Sequence, residues 1–275
     1  MSSGECRLEM KNEEDWQPTK IDWHPDGRWR IRVGGVSPGS LLTAIVQQEA
    51  LIPLIRKYLR GRIADIGAGD VPFYPGYRDQ VESITCIDWG QSMHDSCKHS
   101  DLLCDLNKGL PLSDTSIDAA LMSSVLEHIA EPWNILSELC RCLTPGGCVV
   151  IEVPFFYWLH EEPHDYYRYT RYALVRMAEN AGFEIEKIAP YGNAFVVMSD
   201  IAAKTAVFLC ISVSRRLHWR AQRVWLWLSF GAIRGFQRVA LITLARGPLA
   251  RMLNDSKFQH SFPLGYVAVL RRSTN

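Results

Sequence analysis

Asp65-Ile66-Gly67-Ala68-Gly69 is the stretch of this chain whose residue types and spacing most directly suggest chemistry. A short apolar run ends in an acid and breaks into two closely spaced glycines, the way a buried parallel strand becomes a loop that a ligand can approach closely. Asp88-Trp89 follows at the end of a second apolar run, where a carboxylate can accept both hydroxyls of a ribose and an indole offers a flat surface. Asp105 ends a third run and suits an adenine amino group, with Leu106 placed to pack on the base. Asp65 can contact a cationic amino group of the ligand or merely order the loop, and Asp70 would sit unfavourably beside a pyrophosphate. The G-x-G-x-x-G fingerprint of dinucleotide binding is also incomplete, because Gly67-Ala68-Gly69-Asp70-Val71-Pro72 lacks its third glycine.

A second cluster lies downstream, in His160-Glu161-Glu162-Pro163-His164-Asp165-Tyr166-Tyr167-Arg168-Tyr169-Thr170. Histidine titrates near neutrality, so His164 or His160 is the natural base for a hydroxyl acceptor, with Asp165 orienting its partner. Arg168 suits an anionic acceptor group, and the tyrosines suit a sugar or an aromatic ring. The alternative is a polar network of His164, Asp165 and Arg168 that orders the loop and caps the next helix. Glu127-His128 offers a further carboxylate and imidazole. With His164 or His160 it makes the one candidate metal set; the first expectation is that no metal is held and that His128 is a pocket wall or a helix-start residue.

The elements that must position these groups alternate. Strands are predicted over 62–66, 83–88, 102–106, 117–122, 148–153, 183–188 and 264–270. Helices are predicted over 40–59, capped by Ser40, over 126–143 and over 171–181. Strands separated by helical segments imply an α/β fold with a doubly wound parallel sheet. A hairpin with an Asp26-Gly27 turn is predicted within 20–33. The chain divides into an N-terminal extension (1–40), a core (41–193 plus 262–275) and a basic, apolar helical insertion (194–261).

The 275 residues suffice for one sizeable core, and 47% hydrophobic with 22% charged residues is a globular composition. Eight cysteines with no CxxC pair read as reduced thiols. The N-terminal residues lack a basic region followed by an apolar run, so a cytoplasmic location is expected. A net charge of zero conceals an asymmetry: residues 201–275 carry +11 and the first two hundred carry −11. Such a split suggests an anionic surface or ligand met by the C-terminal part.

Taken together, Asp65-Ile66-Gly67-Ala68-Gly69, Ile87-Asp88, Leu110-Pro111-Leu112 through Asp118, Ser124-Val125-Leu126-Glu127-His128 and Leu143-Thr144-Pro145-Gly146-Gly147 resemble a class I S-adenosylmethionine-dependent methyltransferase. The resemblance covers roughly residues 62–188. It implies a Rossmann-like seven-stranded sheet of order 3-2-1-4-5-7-6 with the last strand antiparallel. It also implies S-adenosyl-L-methionine held by Asp65, Gly67, Ala68, Gly69, Asp88, Trp89, Asp105 and Leu106, with Ser123 near the methionine end. The family usually has a third glycine where this chain has Val71, and some relatives that methylate hydroxyls hold a cation on a Glu-x-x-Glu-His element whose first position here is Ser124. The loop 153–170 resembles a bacterial subgroup linked to cell-surface glycan and lipid-linked saccharide assembly, so O-methylation of such an acceptor is the first expectation. The alternatives are methylation of a small hydrophobic metabolite, such as a quinone or polyketide, and a non-catalytic cofactor-binding scaffold.

Within 194–261, Arg216, Arg220, Arg223, Arg234 and Arg238 would fall on one face of a continuous helix beside Trp219, Trp225, Trp227, Phe230, Ile233 and Phe236. A basic amphipathic helix with Trp and Phe reads as lying in an anionic membrane interface, here peripherally on the inner membrane. No uninterrupted spanning stretch is read. The segment could instead be a lid or a homodimer contact, and no nucleic-acid partner is expected.

Overall fold

The computed structural model describes residues 10–90, 97–247 and 261–274; part of the predicted insertion, 248–260, lies outside the described residues. A small antiparallel hairpin comes first, β1 (Ile21–Trp23) with β2 (Trp29–Ile31), and pairs Trp23 with Trp29 around the expected turn. Helix α1 (Leu41–Tyr58) follows. Ser40 occupies its N-cap position, but its hydroxyl pairs with that of Ser37 and not with the helix backbone, so the side-chain cap predicted there is absent.

Seven strands then build the main sheet: β3 (Gly61–Ile66), β4 (Val81–Asp88), β5 (Leu102–Leu103), β6 (Ile117–Ser123), β7 (Leu143–Pro154), β8 (Phe183–Tyr191) and β9 (Gly265–Arg272). Their order is β5-β4-β3-β6-β7-β9-β8, which is the expected 3-2-1-4-5-7-6. The first five run parallel, and β9 is antiparallel to both β7 and β8. Because β3, β6 and β7 are covered on both faces, their apolar side chains are buried without alternation, as a parallel sheet requires. The two faces carry separate cores. One joins α1, the short α2 (Tyr74–Tyr77) and the N-terminal tryptophans to the sheet; the other joins α3 (Pro132–Cys142) and α4 (Arg171–Asn180).

Three boundaries differ from expectation for local reasons. The third strand is only two residues long, because Asp105 turns the chain into a 3-10 segment by accepting the Asn107 backbone N–H. The helix expected over 126–143 begins instead at Pro132. Proline is tolerated in a first turn but not in a helix interior, so Leu126–His128 forms a separate 3-10 turn. The sheet continues through Thr144-Pro145-Gly146-Gly147 instead of breaking there.

The basic region is a helical hairpin of α5 (Ala194–Ser214) and α6 (Trp219–Ala240), not one helix. Arg216 sits in the turn between the two, so the five arginines do not share a continuous face. The helices run antiparallel: Trp225 Nε1 donates to the Cys210 carbonyl at 3.0 Å, and Asn193 Nδ2 donates to the Leu244 carbonyl at 3.1 Å. By length and composition α5 is apolar enough to cross a membrane, although Asp200 and Lys204 interrupt it as the sequence reading has it. Its two interrupting charges are paired, Lys204 with Asp200 at 2.5 Å, and Asp200 also accepts the Thr43 hydroxyl of α1.

Candidate functional site

A cavity of about 670 Å³ opens at the carboxyl ends of β3, β4, β6 and β7. A parallel sheet offers its ligand crevice here, beside the first strand where the order reverses. Every residue expected to bind cofactor lines it: Asp65, Gly67, Ala68, Gly69, Asp88, Trp89, Asp105, Leu106 and Ser123.

The glycine loop is shaped by two different demands. Gly67 has φ of +65°, and a Cβ there would come within 2.3 Å of Val125, so the following turn packs directly on its bare backbone. Gly69, at φ +55°, faces open space. Its N–H donates to Asp88 Oδ2 at 2.7 Å, while the Trp89 N–H donates to Asp88 Oδ1 at 2.6 Å. Asp88 thus holds the loop as well as fronting the cavity. Val71, at the position where the family usually has glycine, keeps a left-handed φ of 50° and is fully buried. A β-branched residue rarely adopts that conformation, and it persists because its surroundings hold it. Trp16 Nε1 reaches the Asp70 and Val71 carbonyls, each at 3.2 Å, and Trp23 Nε1 reaches the Pro72 carbonyl at 3.2 Å.

Acidic groups dominate the wall. Asp65 is buried and accepts the Tyr77 hydroxyl at 2.7 Å; burial raises its pKa to about 7 against that bond. Glu152 is fully buried, accepts Ser123 Oγ at 3.2 Å and Ser124 Oγ at 2.8 Å, and is also bound by the Tyr191 hydroxyl. Asp105 is already engaged by Asn107 through Oδ1, with Lys108 Nζ 3.4 Å from Oδ2. A ligand carrying a sulfonium and an ammonium group fits such a carboxylate-rich cavity better than a pyrophosphate does.

The acceptor loop is built differently from expectation. His160 and His164 line the cavity, but Asp165 and Arg168 do not. Arg168 donates to Asp165 through both terminal nitrogens at 2.5 and 2.7 Å and to the Tyr157, Trp158 and Tyr167 carbonyls, so its fork is used within the loop and is not presented to an acceptor. Burial opposes the charge on Asp165, yet hydrogen bonds from Arg168 and the His160 N–H carry its pKa down to about 2. Asp165 therefore orients His160 and the loop, not His164, whose Nδ1 lies 3.1 Å from the Tyr166 hydroxyl. The tyrosines are fastenings too. Tyr169 donates to the Leu126 carbonyl and Tyr167 to the Ala130 carbonyl, both at 2.8 Å. The cap of α4 is Thr170, which accepts the Ala173 N–H, and not the His164-Asp165-Arg168 network expected to provide it.

Those fastenings bring His160 beside Glu127 and His128, where the three ligating atoms lie within 4.8 Å of one another. His164 is not in this group; its ring meets Trp89 edge-on at 5.0 Å. Sequence reasoning missed Glu152, Gln47 and Tyr157 in the cavity wall. A lone acid inside Val149-Val150-Ile151-Glu152-Val153 was the available signal, since a buried strand does not carry an unused carboxylate cheaply.

Residues 64–151 match the family described as a methyltransferase domain. An uncharacterized methyltransferase of Mycobacterium bovis (strain BCG / Pasteur 1173P2) is 33% identical over 95 residues, which cover 33% of this chain and 36% of that protein. One of Mycobacterium leprae (strain Br4923) is 30% identical over 128 residues, covering 43% and 44% respectively. The chain thus spans less than half the length of these relatives. Among solved structures, the [4+2]-cyclase SpnF shares the fold with a TM-score of 0.50 at 18% identity, covering 93% of this chain and 87% of that one. The sheet order and the glycine loop are those of the class I S-adenosylmethionine-dependent methyltransferase fold, residues 64–151 match a methyltransferase domain, and the carboxylate-walled cavity fits S-adenosylmethionine as its cofactor.

Proposed function

We propose that the protein transfers a methyl group from S-adenosylmethionine to a hydroxyl of a saccharide or lipid-linked glycan. The observation that carries the reading is one cavity with two kinds of wall. Asp65, Asp88 and the glycine loop line one side, and His160, His164 and Tyr157 line the other. Bound there, the cofactor supplies an electrophilic methyl on sulfur. Asp65 would face the methionine ammonium, Asp88 the ribose hydroxyls and Leu106 the adenine. The protein's remaining tasks are to hold an acceptor hydroxyl in line and to take its proton. His164 and His160 are the groups on the acceptor side able to do so.

The lipid-linked part of the reading is supported by the hairpin. Exposed Phe208, Leu209, Trp227, Leu228 and Phe236 accompany exposed Arg220, Arg223 and Arg238. The same hairpin touches the acceptor loop, with Lys204 Nζ 3.9 Å from the centre of the Tyr157 ring. A lid over a small hydrophobic metabolite would bury these side chains, whereas here they face outward.

Titration calorimetry with S-adenosylmethionine and S-adenosylhomocysteine tests the cofactor half, with binding expected for wild type and strongly weakened in Asp88→Ala. Transfer of labelled methyl to lipid-linked saccharides, free glycans and quinones then tests the acceptor. Label appearing only in a quinone would overturn the glycan assignment.

A further inference from the structure

Glu127 is the least explained side chain among the described residues. It is fully buried, lines the cavity, and neither carboxylate oxygen meets a hydrogen-bond donor among the described residues. Its Oε1 lies 3.8 Å from His128 Nε2 and 3.9 Å from His160 Nε2, beyond hydrogen-bond reach of either.

The two imidazoles are keyed from behind. His128 Nδ1 lies 2.7 Å from the His164 carbonyl, which can only accept, so the proton sits on Nδ1 and Nε2 presents a lone pair. His160 Nδ1 lies 3.3 Å from the Trp158 carbonyl and 3.4 Å from Asp165 Oδ2, again two acceptors. Arg168 Nη2 is 3.5 Å from that nitrogen but already donates to Asp165 and to the Trp158 carbonyl. Three electron-pair donors therefore converge on one point with no hydrogen among them. A proton on Glu127 would answer one of them at most; a cation between them answers all three.

We propose that Glu127, His128 and His160 form a binding site for one divalent transition-metal ion in the cavity wall. A point between atoms 3.8 and 3.9 Å apart lies near the roughly 2.0–2.2 Å that nitrogen and oxygen ligands keep from such ions. Two imidazoles with one carboxylate select zinc, manganese, iron, cobalt or nickel over magnesium and calcium. The carbonyl behind His128 and the carboxylate behind His160 are the outer partners that fix a ligating histidine's tautomer. Three protein ligands leave coordination positions open toward the cavity. An acceptor hydroxyl bound there would lose its proton more readily, to His164, since a ligating His160 could not serve as the base; that role rests on the proposed function, whereas the ion binding itself does not.

The test uses the full chain after dialysis against a chelator, titrated with Zn²⁺ by calorimetry and with Co²⁺ by its visible d–d bands. Wild type is expected to bind one ion, Glu127→Gln and His160→Ala to bind at least about a hundredfold more weakly, and His164→Ala to bind as wild type does. S-adenosylhomocysteine titration of each variant reports folding and, separately, the cofactor assignment. No uptake by wild type, or equal affinity in a folded Glu127→Gln, would overturn the site. A loss confined to His164→Ala would do so as well.

Discussion

The Tyr77 hydroxyl donates to Asp65 Oδ2 at 2.7 Å, and both side chains are buried at the edge of the cavity. Burial dominates that bond and raises the Asp65 pKa from 3.8 to about 7. In the cofactor-free protein the folded state thus holds a proton that the unfolded chain releases earlier. The resulting stability is fully present below pH 3.8 and is lost as the pH rises through about 7. Asp65→Asn cannot titrate and keeps an acceptor for Tyr77. Its thermal stability relative to wild type should climb between pH 4 and 7 and level off above; a difference that stays flat with pH would refute the assignment.

Asp88 fastens the glycine loop through Gly69 and also fronts the cavity. Hydrogen bonds to a charged group contribute about 1.5–3 kcal/mol each, so Asp88→Ala should weaken S-adenosylhomocysteine by roughly ten- to a hundredfold or more. Asp88→Asn keeps an acceptor for one N–H and should fall between. Calorimetry separates the three proteins.

Tyr169 ties the acceptor loop to the turn after β6 through a buried hydroxyl. Tyr169→Phe leaves the Leu126 carbonyl without that donor and should cost about 1–2 kcal/mol in urea unfolding. Arg168→Ala strands the largely buried Asp165 carboxylate and should cost about 3 kcal/mol or more. A change near zero in Arg168→Ala would return the arginine to the acceptor-binding role.

The exposed face of the α5–α6 hairpin predicts sedimentation with anionic vesicles that weakens as salt rises. Arg220→Glu combined with Arg223→Glu should reduce it, and Trp227→Ala should reduce it with less change in salt dependence. Equal binding to neutral and anionic vesicles would argue against a role for the arginines.

The sheet was legible because its strands announce themselves as apolar runs ending in Asp65, Asp88 and Asp105, and because glycines mark the loop between the first two. The resemblance supplied the order, which periodicity alone does not contain. The helix start at Pro132 was misread because the apolar period runs unbroken across Glu131-Pro132, although proline rules out a helix interior there. The acceptor loop was legible as a place but not as a mechanism. Asp165, Arg168, Tyr167 and Tyr169 are residue types that catalyse and bind, yet here they face one another and the backbone, a matter of direction that composition does not carry. The convergence of His160 on Glu127 and His128 depends on those same fastenings and could be read only as one of two options.

Trp16 donates its indole hydrogen to the carbonyls of Asp70 and Val71, and Trp23 donates its own to the carbonyl of Pro72. The family match begins at residue 64, but the loop that must hold the cofactor is clamped by side chains some fifty positions earlier. The segment carrying Trp16 and Trp23 is therefore part of the cofactor loop's support. Binding energies obey reciprocity: whatever the clamp adds to cofactor affinity, bound cofactor returns as protection of the hairpin from local opening. Hydrogen exchange at Ile21–Ile31 becomes a remote gauge of whether the cavity is filled.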